Sequence, residues 1–190
     1  MVHISEAIKN DHKKMQSYYY AIVSSEDKDE QARIQKEFIG ELSRHAVSEE
    51  LVVYPAMEEF LADGMAIADK DRKEHSTIKQ RVDALQDLSS SDPRFLPTIA
   101  GLMDDLGRNF HDVETIDLPK LENHITSDES EQLANALQRA KVFVPSDSRP
   151  SVPNKPLFET AAEMITAPLE NLQGLLPTWL GDDPDPKPAE

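Results

Sequence analysis

A chain of 190 residues with 36 acidic and 20 basic side chains, formal charge -16, can bury one substantial core and has the wrong sign for nucleic acid or anionic membrane surfaces. It contains no cysteine, which excludes disulfides, thiolate metal sites and a cysteine nucleophile, so any metal must be held by histidine and carboxylate. The start, MVHISEAIKNDHKK, has no apolar signal core and no run approaches the roughly 18 apolar residues of a membrane span, which gives the expectation of a soluble, cytoplasmic protein.

The apolar positions repeat with a helical period. Ile4, Ile8, His12, Met15, Tyr19 and Ile22 predict a first amphipathic helix with His12 at a core position. The polar run SSEDKDE interrupts it. A second helix is expected over residues 31–60, with Phe38, Leu42, His45, Glu49, Val52 and Ala56 on one stripe, Pro55 as a kink or early end, and Asp63-Gly64 as its close. A third carries Ala68, His75, Ile78, Val82 and Leu85 on its apolar side. SSSDP is a turn and helix start. The fourth helix then presents Ile99, Leu102, Leu106, Asn109, Val113 and Ile116 inward and ends near Leu118-Pro119. Four such helices joined by short polar loops predict an all-α fold, an antiparallel four-helix bundle.

A fifth helix is expected over residues 128–144, with Leu133, Leu137 and Ala140 on its apolar side. Nine of the 13 prolines lie from Pro145 onward, so no long uninterrupted helix comes after it. The expected organisation is a helical bundle over 1–145, a Pro-rich C-terminal segment over 146–180 and a disordered tail over 181–190. Apolar residues from Leu157 to Trp179 predict short helices packed on the bundle as a lid.

Ionisable residues on apolar stripes are the chemical signal. A buried carboxylate is costly unless a cation, a metal or a proton compensates it, and Glu49 lies one turn from His45. The chain also resembles itself. His12 precedes His45 by 33 residues and His75 precedes Asn109 by 34, while His45 and Pro55, like Asn109 and Pro119, are ten apart. Overlaying the halves pairs His12 with His75, His45 with Asn109 and Glu49 with Val113. Each helical hairpin is thus half of a pseudo-symmetric site, and the second half lacks two ligands. Two residues of helix rotate a side chain by about 200°, which turns His111 away from the face of Asn109 and Val113. Glu114 is one residue off and comes inward only through a local shift of the fourth helix. His3 and His124, near element ends, are expected at the surface.

The segments IKNDHKKM, RHAVSEELVVYPAME, DRKEHSTIK and LMDD...DLPKLE resemble the hemerythrin-like, or HHE cation-binding, domain, especially its fungal branch, over residues 1–145. VFVPSDSRPSVPNKPLFETAA and ITAPLENL are similar to the tail of that branch. The resemblance implies a hemerythrin-like bundle in which a histidine of the first helix, an HxxxE pair of the second, one or two histidines of the third and an Hxxx-carboxylate pair of the fourth hold two non-haem irons. Position by position, His12, His45, Glu49 and His75 are retained. Lys79 stands where some members have a second histidine on the third helix. Asn109 and Val113 stand where the fourth helix gives a histidine and a bridging carboxylate.

Three readings are open. In the first, the degenerate di-metal site is repurposed without a cofactor. His12, His45, Glu49 and His75 then act as acid-base groups in a pocket lined by Tyr19, Asn109 and Val113, which takes a small apolar molecule. The resemblance adds a reaction class, since fungal hemerythrin-like proteins include the hetero-Diels-Alderases of tropolone sesquiterpenoid biosynthesis, which join a quinone methide to a terpene. In the second, the same four residues hold one or two irons, or another divalent metal, for oxygen binding, iron handling or oxidation. In the third, they are a structural remnant whose polar groups hydrogen-bond to one another.

Overall fold

The computed structural model describes residues 2–142. Its helices are α1 (Ile4–Ser24), α2 (Lys28–Ser48), α3 (Tyr54–Phe60), α4 (Gly64–Gln86), α5 (Phe95–Asp112), α6 (Leu118–Glu122) and α7 (Ser127–Val142). A π turn at Glu49–Val53 joins α2 to α3 and another at Val113–Asp117 joins α5 to α6, so the described residues form four long rods and a shorter fifth. There is no strand among the described residues, and no helix among them is long and apolar enough to cross a membrane. The expectations for 146–180 and 181–190, and the last two positions of the expected fifth helix, lie outside the described residues.

Local chemistry explains the helix ends. The Asp27 carboxylate accepts from the backbone N–H groups of Asp29 and Glu30 at 2.9 and 3.2 Å, so α2 begins at Lys28, ahead of the apolar periodicity. Pro55 and Pro119 lack an N–H, and their rings crowd the carbonyl four residues back. Each rod widens just before its proline. Tyr54 N–H donates to the Glu49 carbonyl and Leu118 N–H to that of Val113, both five residues back. Neither proline ends its rod. Each π turn inserts one residue, which rotates the rest of its rod by about 100°. This corrects the expectation for Ile116: it is 57% exposed, and Asp117 occupies the inward position.

The core is divided by a polar layer. One apolar cluster contains Met15, Phe38, Leu42, Ile78 and Leu106; the other contains Ile8, Tyr54, Ala68, Leu118 and Leu137. Each long rod contributes to both. Between them come buried Asp11 and His12 from the first rod, His45 and Glu49 from the second, Asp71 and His75 from the third, and Asn109 and Asp117 from the fourth. The fifth rod, α7, packs across α1, α2 and the first π turn. Its Ser130 Oγ accepts from Ile4 N–H and donates to Glu122, both at 3.0 Å.

The start of α4 lies against the end of α3. A Cβ on Gly64 would stand 1.8 Å from the Met57 carbonyl oxygen, an approach that only glycine permits. Gly64→Ala is therefore expected to destabilise the fold by about 1–3 kcal/mol, because the added carbon meets backbone that no side-chain rotation can move. Calorimetry of the variant should show a melting temperature lowered by roughly 2–12 °C.

Candidate metal centre

Three histidines converge on one carboxylate at the waist of the bundle. His45 Nε2 lies 3.4 Å and His75 Nε2 3.3 Å from the same oxygen, Glu49 Oε2. His12, His45 and Glu49 form a group in which one ligating atom from each lies within 4.8 Å of the others. The spacing of four residues puts His45 and Glu49 on one face of the second rod. The facing rods α1 and α4 deliver His12 and His75, and all four side chains are buried.

Each imidazole is anchored through its outer nitrogen. Nδ1 of His12 lies 2.6 Å from Glu114 Oε1, that of His45 3.3 Å from Asp11 Oδ2, and that of His75 3.3 Å from Tyr54 Oη. Phe110 stacks on His12 with ring centroids 3.8 Å apart. Outer partners of this kind fix the ring orientation and leave Nε2 free to ligate. The inner Nε2 atoms of His12 and His45 are buried and make no hydrogen bond, a costly arrangement that a metal ion resolves. Two imidazole nitrogens free of hydrogen bonds beside an ionised carboxylate fit a borderline divalent ion such as Fe(II) or Zn(II).

The electrostatics are those of a metal-free site. Burial, followed by the charge of His45, pushes His12 down to about 4, so near pH 7 its ring is neutral and Nδ1–H donates to Glu114. For His45, burial opposes the charged form, but Glu49 and Asp11 outweigh it and push the ring up. Burial likewise works against charge on Glu49, yet His45 and His75 hold it down at about 2. Glu49 is ionised, not kept neutral by desolvation. Burial and the Glu49 charge push the Tyr54 phenol well up.

The other expected site residues surround this group in different ways. Asn109 is buried, and its Nδ2 donates to Glu74 Oε2 at 2.8 Å. Val113 belongs to the apolar cluster of Tyr54 and Leu118. Tyr19 packs against the other cluster, with its ring 5.5 Å from Tyr20. Lys79 pairs with Asp83 at 2.6 Å. His111 is exposed, and its carbonyl accepts from Thr115 Oγ1. Glu114 does reach the centre's edge, one helical turn beyond Phe110, which stacks on the same His12 ring. His3 faces Ser127 and Glu122, while His124 Nδ1 lies 2.8 Å from the Lys120 carbonyl.

Several participants are not evident from the apolar periodicity. Asp11 adjoins His12, and Asp71 lies one turn before His75, spacings that could have singled them out. Tyr54 and Phe110 read as ordinary core aromatics. Lys141 and Asp117 had no signal at all. Burial, then the charges of Glu49 and Asp117, pushes Asp71 up to about 8, and Asp71 Oδ1 and Asp117 Oδ2 are buried without a hydrogen-bond partner.

Fold and site together define a helical-bundle protein with a His/Glu group able to bind a cation. The Hemerythrin HHE cation binding domain matches residues 3–121, and the chain belongs to that family. It is 41% identical over 180 residues to an uncharacterized hemerythrin-like protein of Schizosaccharomyces pombe, covering 94% of this chain and 89% of that protein. A DNA nickase of a Nostoc species is 25% identical over 140 residues, which span 74% of this chain and 39% of the nickase. No solved structure matches the chain.

These charges set the pH response of the metal-free protein. Asp71, raised in the fold from 3.8 to about 8, binds more protons folded than unfolded in that window, so its contribution falls as pH rises from about 4 through 8. Glu49, depressed from 4.5 to about 2, acts oppositely: its contribution is present above 4.5 and is lost as pH falls toward 2. Urea midpoints at pH 5 and pH 9 should therefore show Asp71→Asn gaining stability relative to the parent at the higher pH. An unchanged difference between the two pH values would contradict the assignment.

Proposed function

We propose that this chain is a metal-binding hemerythrin-like protein in which His12, His45 and Glu49 hold a divalent ion, iron in the first instance, with His75 adjoining it through the shared Glu49 oxygen. The observation that carries this reading is the pair of buried Nε2 atoms of His12 and His45, neither in a hydrogen bond, beside Glu49. Iron bound there would supply redox or Lewis-acid chemistry, in the service of oxygen binding, iron handling or oxidation.

The chain's own residues prepare the position. Glu49 brings a full negative charge into the waist. Glu114, Asp11 and Tyr54 orient the three rings from outside. The two apolar clusters flank the layer and exclude water on either side. In the metal-free protein His45 is biased toward its protonated form, so binding displaces a proton.

A second reading rests on Asn109 and Val113, which leave the fourth rod without the family's ligand pair. In it, the polar group serves a metal-independent small-molecule enzyme of fungal natural-product biosynthesis, with hetero-Diels-Alder joining of a quinone methide and a terpene as the reaction class. His45 and Glu49 would then move protons, and the apolar surroundings would hold the partners in register.

Metal analysis after expression with ample iron, followed by anaerobic Fe(II) titration, separates the two. The parent is expected to bind at least one iron per chain, His45→Ala and Glu49→Ala to lose tight binding, and Lys79→Ala to keep it. Affinity should weaken as pH falls below neutrality. A parent protein that takes up no iron under these conditions would overturn the metal-binding reading, and turnover of a quinone methide with a terpene by chelator-treated protein would favour the second.

A further inference from the structure

The helix α7 lies beyond the family match, which ends at residue 121, yet it reaches the waist of the bundle. Lys141, in its last turn, is 9% exposed, while the next residue, Val142, is 79% exposed. A lysine at a helix end ordinarily extends into water, where its long side chain loses no hydration. Here the ammonium instead pairs with Asp11 Oδ2. That same oxygen stands 3.3 Å from His45 Nδ1. Burial works against the Asp11 charge, but His45 and Lys141 hold its carboxyl below the usual range.

The three groups form a buried line from the fifth rod to the ring of a proposed ligand. Asp11 alone would be an uncompensated carboxylate in the core, with reason to turn toward water. Lys141 neutralises it and fixes its oxygen beside His45 Nδ1. A carboxylate so placed accepts a hydrogen bond from Nδ1–H and turns Nε2 toward Glu49. Ser130 ties the other end of α7 to Ile4 N–H and Glu122, so the helix is fastened to α1 at two points.

We propose that Lys141 and Asp11 are positioning residues for His45 and that α7 is a clamp on the metal centre, so that the ion is retained only while this helix is docked. The proposal rests on the metal-binding reading above.

The test uses the full chain with Co(II) as a spectroscopic probe. Three readouts are compared: Co(II) affinity from visible absorption, the melting temperature of the metal-free protein, and the His45 tautomer from 15N-edited NMR at pH 9. Lys141→Met and the polar variant Lys141→Gln are expected to weaken Co(II) binding about 10–100-fold with little change in melting temperature, and Lys141→Arg to restore it. Asp11→Ala should convert a single Nδ1–H tautomer of His45 into a mixture. Parental affinity in both uncharged variants would overturn the proposal. So would a loss of affinity matched by a loss of stability that arginine does not rescue. If the parent itself binds no Co(II), the metal-binding reading fails, while a single, unaltered His45 tautomer in Asp11→Ala and Lys141→Met would separately sink the positioning role.

Discussion

Glu49 is an ionised carboxylate in the centre of a helical bundle, and much of the architecture serves to keep it there. Removing such a group from water costs several kcal/mol even after the protein relaxes. His45 and His75 offset that cost by approaching the same oxygen at 3.4 and 3.3 Å. Each of those rings then needs a partner on its far side, which Asp11 and Tyr54 provide. Asp11 in turn needs Lys141. One buried charge therefore sets side-chain identities on α1, the second rod, α4 and α7.

The two π turns shape the polar layer. They occur 64 residues apart at matching places in the repeated hairpins, at Glu49–Val53 and Val113–Asp117, each just before a proline. The halves nevertheless use them differently. In the first, the leading residue, Glu49, faces the histidines, while Glu50 turns outward, where both of its oxygens accept from Arg72 Nε, at 3.1 and 3.0 Å. In the second, the leading residue, Val113, joins the apolar cluster, and the next one, Glu114, reaches His12. Two similar backbones thus deliver their carboxylates from positions one residue apart. The result is one carboxylate at the centre and another holding a ring from behind.

At Asn109 and Val113, which match His45 and Glu49 in the internal repeat, no buried polar side-chain atom lacks a hydrogen-bond partner. Asn109 donates to Glu74, whose other oxygen lies 3.6 Å from Lys70. The buried atoms that do lack a hydrogen-bond partner among the described residues are His12 Nε2, His45 Nε2, Asp71 Oδ1 and Asp117 Oδ2. The two histidine atoms face each other's neighbourhood beside Glu49. Helical bundles place cofactor sites in their interior because facing helices can each aim a side chain at one point, and this waist keeps that geometry on one side of its pseudo-symmetry axis.

The sequence by itself determined the all-α bundle, the helix order, the family and the four converging residues His12, His45, Glu49 and His75. The bundle and its helix order rest on spacing along single helices, where three or four residues bring side chains onto one face whatever surrounds them, while the family and the grouping of the four residues rest on the resemblance of their motifs. It also marked Asn109 and Val113 as departures. Tertiary structure decided the rest. Ile116 turned outward because a π turn changed the helical phase, an event that ideal 3.6-residue periodicity does not contain, and Glu114 met His12 because the fourth rod packs on the first. Lys141, 129 residues from His12 in the chain, joined the site because packing of α7 brought its ammonium to Asp11. Local spacing specifies a face; which faces meet, and which charges they must balance, is settled only when the rods pack together.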